Sequence, residues 1–148
     1  QKMTVLREWT FEDLNGIAEL EKECFSSEPW NLQALADSFL SGHFYGALLE
    51  EEGAITSYGG ISVVLDEGEL QLIATAEMYR KCGRAQKILT YLTEEAAKRG
   101  ARRIFLEVRV SNAEAQKLYL KNGFRGVYAR TRYYPDGEDA VVMKKELV

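Results

Sequence analysis

Three places in this chain carry side chains whose types and spacing can do chemistry. The first is RKCGRA, Arg80 to Ala85, with one glycine among three cations and a thiol, just ahead of an amphipathic run. A helix start leaves backbone N–H groups unpaired and partly positive, a natural seat for an anion such as phosphate, and Gly83 and the small Ala85 let the backbone come close to it. The same six residues suit a plain solvated turn, and they match neither G-x-x-x-x-G-K-[ST] nor G-x-G-x-x-G. The second is Glu107, the one acid in RIFLEVRV, Arg103 to Val110. It reads either as a general base or as a surface partner of Arg109 or a neighbouring lysine. The third is Tyr119, a phenol that can protonate a leaving group or simply pack in a core. His43 is the single histidine, which weakens any Ser-His-Asp triad or multi-histidine metal site. Cys24 and Cys82 are the only cysteines, too few for a disulfide framework or a structural zinc site. No metal is expected, and Cys82 has no base beside it in sequence.

The 148 residues suit one domain with one sizeable core, expected to run from Met3 to Val148 after a Gln1-Lys2 remnant. No membrane-spanning stretch or secretory signal is visible, so a reduced, cytoplasmic setting is expected. The net charge of -4 argues against nucleic-acid binding and suits a basic peptide or protein substrate.

The elements that must position these groups follow from periodicity. Val5 to Arg7 read as a strand, and Thr10 to Asp13 resemble a helix N-terminus. Leu14, Ile17, Ala18, Glu21, Cys24 and Phe25 continue with helical spacing until SSEPW, Ser26 to Trp30, breaks it at Pro29. Asn31 can cap a second helix whose apolar face is Leu32, Leu35, Ala36, Phe39 and Leu40. Three antiparallel strands are expected at residues 44–50, 54–65 and 69–75, with Gly59-Gly60 marking a bulge or a close approach. Ala85, Ile88, Leu89, Leu92 and Ala96 form a helical stripe that Gly100 can end. In RIFLEVRV, Ile104, Leu106, Val108 and Val110 alternate with Phe105, Glu107 and Arg109. Ser111 to Glu114 read as a capping box for a helix ending at Asn122-Gly123, and two last strands flank Pro135 to Gly137. The strand–helix–strand around RKCGRA implies one parallel crossover. The class is therefore α/β: a mixed, mostly antiparallel sheet of six to seven strands flanked by about four helices.

Arg80-x-x-Gly83-x-Ala85 between a strand and a helix resembles the acetyl-CoA pyrophosphate motif Q/R-x-x-G-x-G/A of the GNAT acetyltransferases. LEVRVSNAEAQKLYLKNGF (Leu106 to Phe124), YYPDGEDAVVMKKEL (Tyr133 to Leu147) and ECFSSEPW (Glu23 to Trp30) are similar to segments of the RimI type within that family. The four segments stand in order and cover nearly the whole chain. Two departures are TAEMYR, Thr75 to Arg80, and Arg84 in place of an aliphatic residue.

The resemblance implies the GNAT fold, acetyl-CoA as co-substrate, and acetylation of the N-terminal alanine of a small-subunit ribosomal protein. It implies Glu107 as general base and Tyr119 as general acid. The pyrophosphate would lie on Arg80, Lys81, Cys82, Gly83, Arg84, Ala85 and Gln86, with rim charge from Arg80, Lys81 and Arg84. Backbone groups of Ile73, Ala74 and Thr75, and Asn112, would meet the pantetheine arm. Trp30, Tyr134, Asp136 and Glu138 would meet a basic acceptor segment. The rival expectations are a GNAT enzyme for lysine or a small amine, a non-catalytic acetyl-CoA-binding module, and a partner-dependent interaction protein. Nothing in the sequence gives an oligomeric state.

Overall fold

The computed structural model describes residues 3–25 and 28–148. Gln1, Lys2 and the serines of SSEPW lie outside the described residues. The elements run β1 (Thr4–Glu8), α1 (Leu14–Cys24), α2 (Leu32–Phe39), β2 (Phe44–Glu51), β3 (Ala54–Val64), β4 (Glu67–Thr75), α3 (Arg84–Lys98), β5 (Arg103–Arg109), α4 (Ala113–Lys121), β6 (Arg125–Arg130) and β7 (Ala140–Glu146). One seven-stranded sheet has the order β1-β2-β3-β4-β5-β7-β6. Every neighbouring pair is antiparallel except β4–β5. The α/β class, the strand count and the four helices agree with expectation.

Each helix end has a local cause. The Thr10 N–H donates to the Asp13 carboxylate at 2.7 Å, fixing the turn that leads into α1. Asn31 caps α2, its Oδ1 accepting from the Ala34 N–H at 2.8 Å. Gly100, with φ +97°, follows α3 and lets the chain turn out of the helix. The expected capping box of α4 does not form. Asn112, not Ser111, is the cap, and its Oδ1 accepts from the Ala115 N–H at 3.1 Å. The Ser111 N–H goes instead to Glu138.

The sheet separates two apolar clusters. One holds Ile88, Leu89 and Leu92 of α3 and Tyr119 of α4 against Ile61, Ile104, Leu106 and Val108. The other holds Leu14 and Ile17 of α1 and Leu35 of α2 against Trp9, Leu48 and Tyr58. The alternation in β5 appears as Ile104, Leu106 and Val108 buried and Phe105, Glu107 and Arg109 partly exposed. Val110, placed in sequence on the buried face, lies past the strand end and is 53% exposed.

Gly59 and Gly60 are positions of close approach. A Cβ on Gly60 would sit 2.1 Å from Phe44 Cζ, and one on Gly59 would sit 2.9 Å from Ile88 Cγ2. Phe44 and Ile88 are themselves buried, so neither can swing clear. Gly60→Ala is therefore expected to destabilise the fold by about 1–3 kcal/mol, read as a lowered Tm. An unchanged Tm would mean that Phe44 repacks freely.

Candidate active site

β4 and β5 pair only over Glu67 to Glu69 and Arg103 to Phe105. The cause lies at Gln71. In the β3–β4 ladder Leu70 faces Ile61 and Leu72 faces Gly60, which leaves Gln71 as an extra residue in β4. The bulge puts Leu70 in the α3 cluster and Leu72 in the α1–α2 cluster. Beyond it β4 stays with β3, while β5 stays paired with β7 through Arg109. The two strands form a fork, with Ile73, Ala74 and Thr75 on one tine and Glu107 and Arg109 on the other.

At the tip of the β4 tine the chain turns into α3. Gly83 is the N-cap of α3 with φ +82°, and Lys81 before it has φ +67°. A Cβ built on Gly83 meets nothing within 4 Å, so the helix entrance is open. The first turn leaves N–H groups at Arg84, Ala85 and Gln86 without intrahelical acceptors. This arrangement fits a phosphate ester. The cationic rim is smaller than expected from the sequence. Arg84 turns away from it and grips Glu51 of β2, at 2.6 Å from Nε and 2.9 Å from Nη2, while Nη1 donates to the Tyr79 carbonyl at 2.8 Å. Arg80 Nε donates to the Thr75 carbonyl at 2.9 Å. Lys81 and Cys82 are exposed. The Gln86 side chain is paired with that of Asn122, tying α3 to the end of α4.

On the other tine, Glu107 is paired, though with neither Arg109 nor a lysine. Its Oε2 lies 2.6 Å from Arg130 Nε, and its Oε1 accepts from the Tyr133 hydroxyl at 2.8 Å. Tyr119 is 6% exposed and packs edge-on against Phe124. Burial, and secondarily the nearby Tyr134, push its phenol well above the usual range. It stays protonated at neutral pH and can donate a hydrogen bond. Tyr134 lies near enough to feel both groups. Burial, then the Glu107 charge, push its phenol up to about 12.

Arg109 lies two residues beyond Glu107 on the same face of β5. Its Nη1 lies 2.9 Å from Asp136 Oδ2 and 2.7 Å from Glu138 Oε1, and its Nη2 donates to Glu28. Its guanidinium carbon sits 4.1 Å from the centre of the Tyr134 ring. The Glu138 N–H, then Arg109, hold Asp136 below the usual carboxylate range. Ser111, then Arg109, do the same for Glu138. Trp30 is partly buried against the α1–α2 cluster, and its N–H donates to Glu21 Oε1 at 2.9 Å. The sequence reading singled out Glu107, Tyr119, Tyr134, Asp136 and Glu138, and these lie in one neighbourhood with Arg109 and Glu28. It missed Arg130 and Glu28, and gave Arg109 no role of its own. Only the density of acids in PDGED hinted at a cation among them.

A fork between parallel strands, with an open helix start at one tip and a carboxylate and a buried phenol beside the other, suits transfer of an acyl group from a phosphate-bearing thioester. A family model described as "Acetyltransferase (GNAT) family" matches residues 8–124. The chain belongs to that family: it is an N-acetyltransferase with acetyl-CoA as co-substrate. A Bacillus subtilis (strain 168) protein provisionally named ribosomal protein bS18-alanine N-acetyltransferase is 34% identical over 140 residues, 93% of this chain and 92% of its own length. The Escherichia coli (strain K12) enzyme of that name is 36% identical over 118 residues, 78% of this chain and 79% of its own. The crystal structure of the Escherichia coli ribosomal-protein-S18-alanine N-acetyltransferase superposes with a TM-score of 0.89 at 32% identity, over 98% of this chain and 94% of that one.

Glu21 supplies a test of how the Trp30 segment is held. It is 1% exposed and accepts from the Tyr58 hydroxyl at 2.7 Å as well as from Trp30. Burial pushes its carboxyl above the usual range despite both hydrogen bonds. Its contribution to stability is thus full below the ordinary carboxylate pKa and is lost as pH rises through the raised one. Glu21→Gln keeps an acceptor for the Trp30 backbone N–H, removes the charge, and turns the group facing the Tyr58 hydroxyl from an acceptor into a donor. Its Tm is expected to gain on the parent's as pH rises from the ordinary carboxylate pKa toward neutrality. Parallel Tm curves against pH would contradict this reading.

Proposed function

We propose that this chain acetylates the N-terminal α-amine, probed here as that of alanine, of a small-subunit ribosomal protein with a basic N-terminal segment. Direct attack in a ternary complex and a cytoplasmic setting belong to the same reading, as does a single acetyltransferase domain over residues 3–148. The observation that carries it is the likeness, over nearly the whole chain, to enzymes named for that reaction. The rest is chemistry that the fork supports.

In this reading the amide N–H groups of Gly83, Arg84, Ala85 and Gln86 hold the coenzyme pyrophosphate, with Lys81 at the rim. Ile73, Ala74 and Thr75 offer the pantetheine arm a strand edge, as an added strand would be received. An N–H from that edge polarises the thioester carbonyl. Asn112 caps α4 through its Oδ1, leaving its amide nitrogen for the coenzyme. The acceptor nitrogen attacks the carbonyl carbon, the C–S bond breaks, and the amine proton passes to Glu107 directly or through water. Tyr119 donates to the departing thiolate.

Glu107 faces Arg130, and the Tyr133 hydroxyl occupies one oxygen that an incoming amine can take over. An α-amine has a reference pKa of about 7.7–8.0 against about 10.4 for lysine, so it needs less help from a base at neutral pH. Trp30 and Tyr134 wall the acceptor, and Asp136 and Glu138 set the sign of the field that it meets.

Two peptides test this by mass spectrometry. One has a free N-terminal alanine followed by basic residues; the other is the same peptide with a blocked N-terminus and an internal lysine. Acetylation of the first alone is expected, and modification of the second alone would overturn the α-amine assignment. Glu107→Gln and Tyr119→Phe are each expected to lower kcat about 10²–10⁴-fold with acetyl-CoA binding retained. Full activity in either variant would remove that residue from its role.

A further inference from the structure

We propose that Arg109 is a positioning residue that sets the spacing between the two walls of the acceptor site, acting as a clasp between segments far apart in sequence. The inference rests on the acetyltransferase reading of the fork and goes beyond it, because Arg109 and Glu28 belong to neither the proposed coenzyme cradle nor the proposed catalytic pair.

The geometry is that of a bridge. Glu28 belongs to the segment between α1 and α2 that also carries Pro29 and Trp30, whereas Asp136 and Glu138 belong to the segment between β6 and β7 that also carries Tyr133 and Tyr134. Arg109 stands on β5 between them and binds all three carboxylates. One contact spans 81 residues and the others span 27 and 29. A guanidinium offers five donors in a rigid plane, so one side chain can serve both walls and stack on Tyr134 at once. Its own side chain is 23% exposed, and those of Glu28 and Glu138 are 29% and 20% exposed, so these pairs are partly shielded from water and ions. Such half-buried, multidentate pairs hold geometry better than fully exposed ones.

The clasp reaches the reacting groups through two short links. Tyr134 is stacked on Arg109, and its neighbour Tyr133 donates to Glu107. On the opposite wall, Glu28 is two residues from Trp30, whose N–H is fixed by buried Glu21. Releasing Arg109 would free both walls to move against β5 while leaving α3 and the β4 edge as they are. The expected consequence falls on the acceptor and not on the coenzyme.

The experiment measures kcat and both KM values for the parent, Arg109→Lys, Arg109→Gln, Glu28→Gln and the Glu28→Gln/Arg109→Gln double variant, using the alanine peptide. Arg109→Gln and Glu28→Gln are each expected to raise KM for the peptide about tenfold, with KM for acetyl-CoA changed less than about twofold. The double variant is expected to be no worse than Arg109→Gln alone, since Glu28 acts through Arg109. Arg109→Lys should recover part of the loss.

Unchanged peptide KM in Glu28→Gln would overturn the clasp. So would equal rises in both KM values together with a lower Tm, the mark of a general structural role. If Arg109→Gln does not fold, Glu28→Gln decides alone, since it removes one contact and buries no new charge. A parent enzyme that ignores the alanine peptide would sink the substrate reading instead. The same comparison on the lysine peptide would then test the clasp independently.

Discussion

The site depends on a pairing that stops. β4 and β5 share three register positions and then separate, because the extra residue at Gln71 redirects β4 while β5 remains bound to β7. A continuous sheet would satisfy the backbone of both strands and leave no room for a substrate. The fork instead leaves β4 beyond Glu69 without a β5 partner. It also sets Glu107 and Arg109 on a separate support. The two apolar clusters pack against the two faces of the sheet that carries both supports.

The polar groups around the fork divide by the kind of restraint that they receive. Tyr119 is held by packing, Glu107 by Arg130 and Tyr133, and Asp136 and Glu138 by Arg109. Glu21 is different: it is a carboxylate buried against Tyr58 and the Trp30 backbone N–H, with no cation among its hydrogen-bond partners within the described residues. Ionising it has a cost, and what it gains is a fixed approach of the chain between α1 and α2.

Much of this was legible in the sequence, for physical reasons. Period-two alternation in RIFLEVRV put Glu107 on the face opposite Ile104, Leu106 and Val108, and core packing was one of the two readings open for Tyr119. Gly83 and Gly100 marked positive-φ positions at the two ends of α3. What escaped were relations carried by no local period. The bulge at Gln71 exists only against β3, so the strand reads as regular by itself. Arg84 looked like rim charge because its partner, Glu51, lies 33 residues away. Glu28 was one acid in a helix-breaking segment, and Arg130 one of several surface cations. Glu21 fell on the apolar stripe of α1 and was counted with it, although its burial needs Tyr58 from β3.

The tie between Arg84 and Glu51 has a thermodynamic consequence. It fixes the first residue of α3 to the far end of β2, so the open N–H groups at the helix start are held in place before any coenzyme arrives. Little conformational freedom remains there to be lost on association, and the entropy of ordering a loop does not count against affinity. In the proposed cradle, with Arg84 turned inward, the grip would come through short, directional backbone dipoles, which are less diluted by mobile ions than flexible side-chain charges are. Exposed Lys81 at its rim would supply the longer-range attraction, so shape and charge would act at different stages of capture.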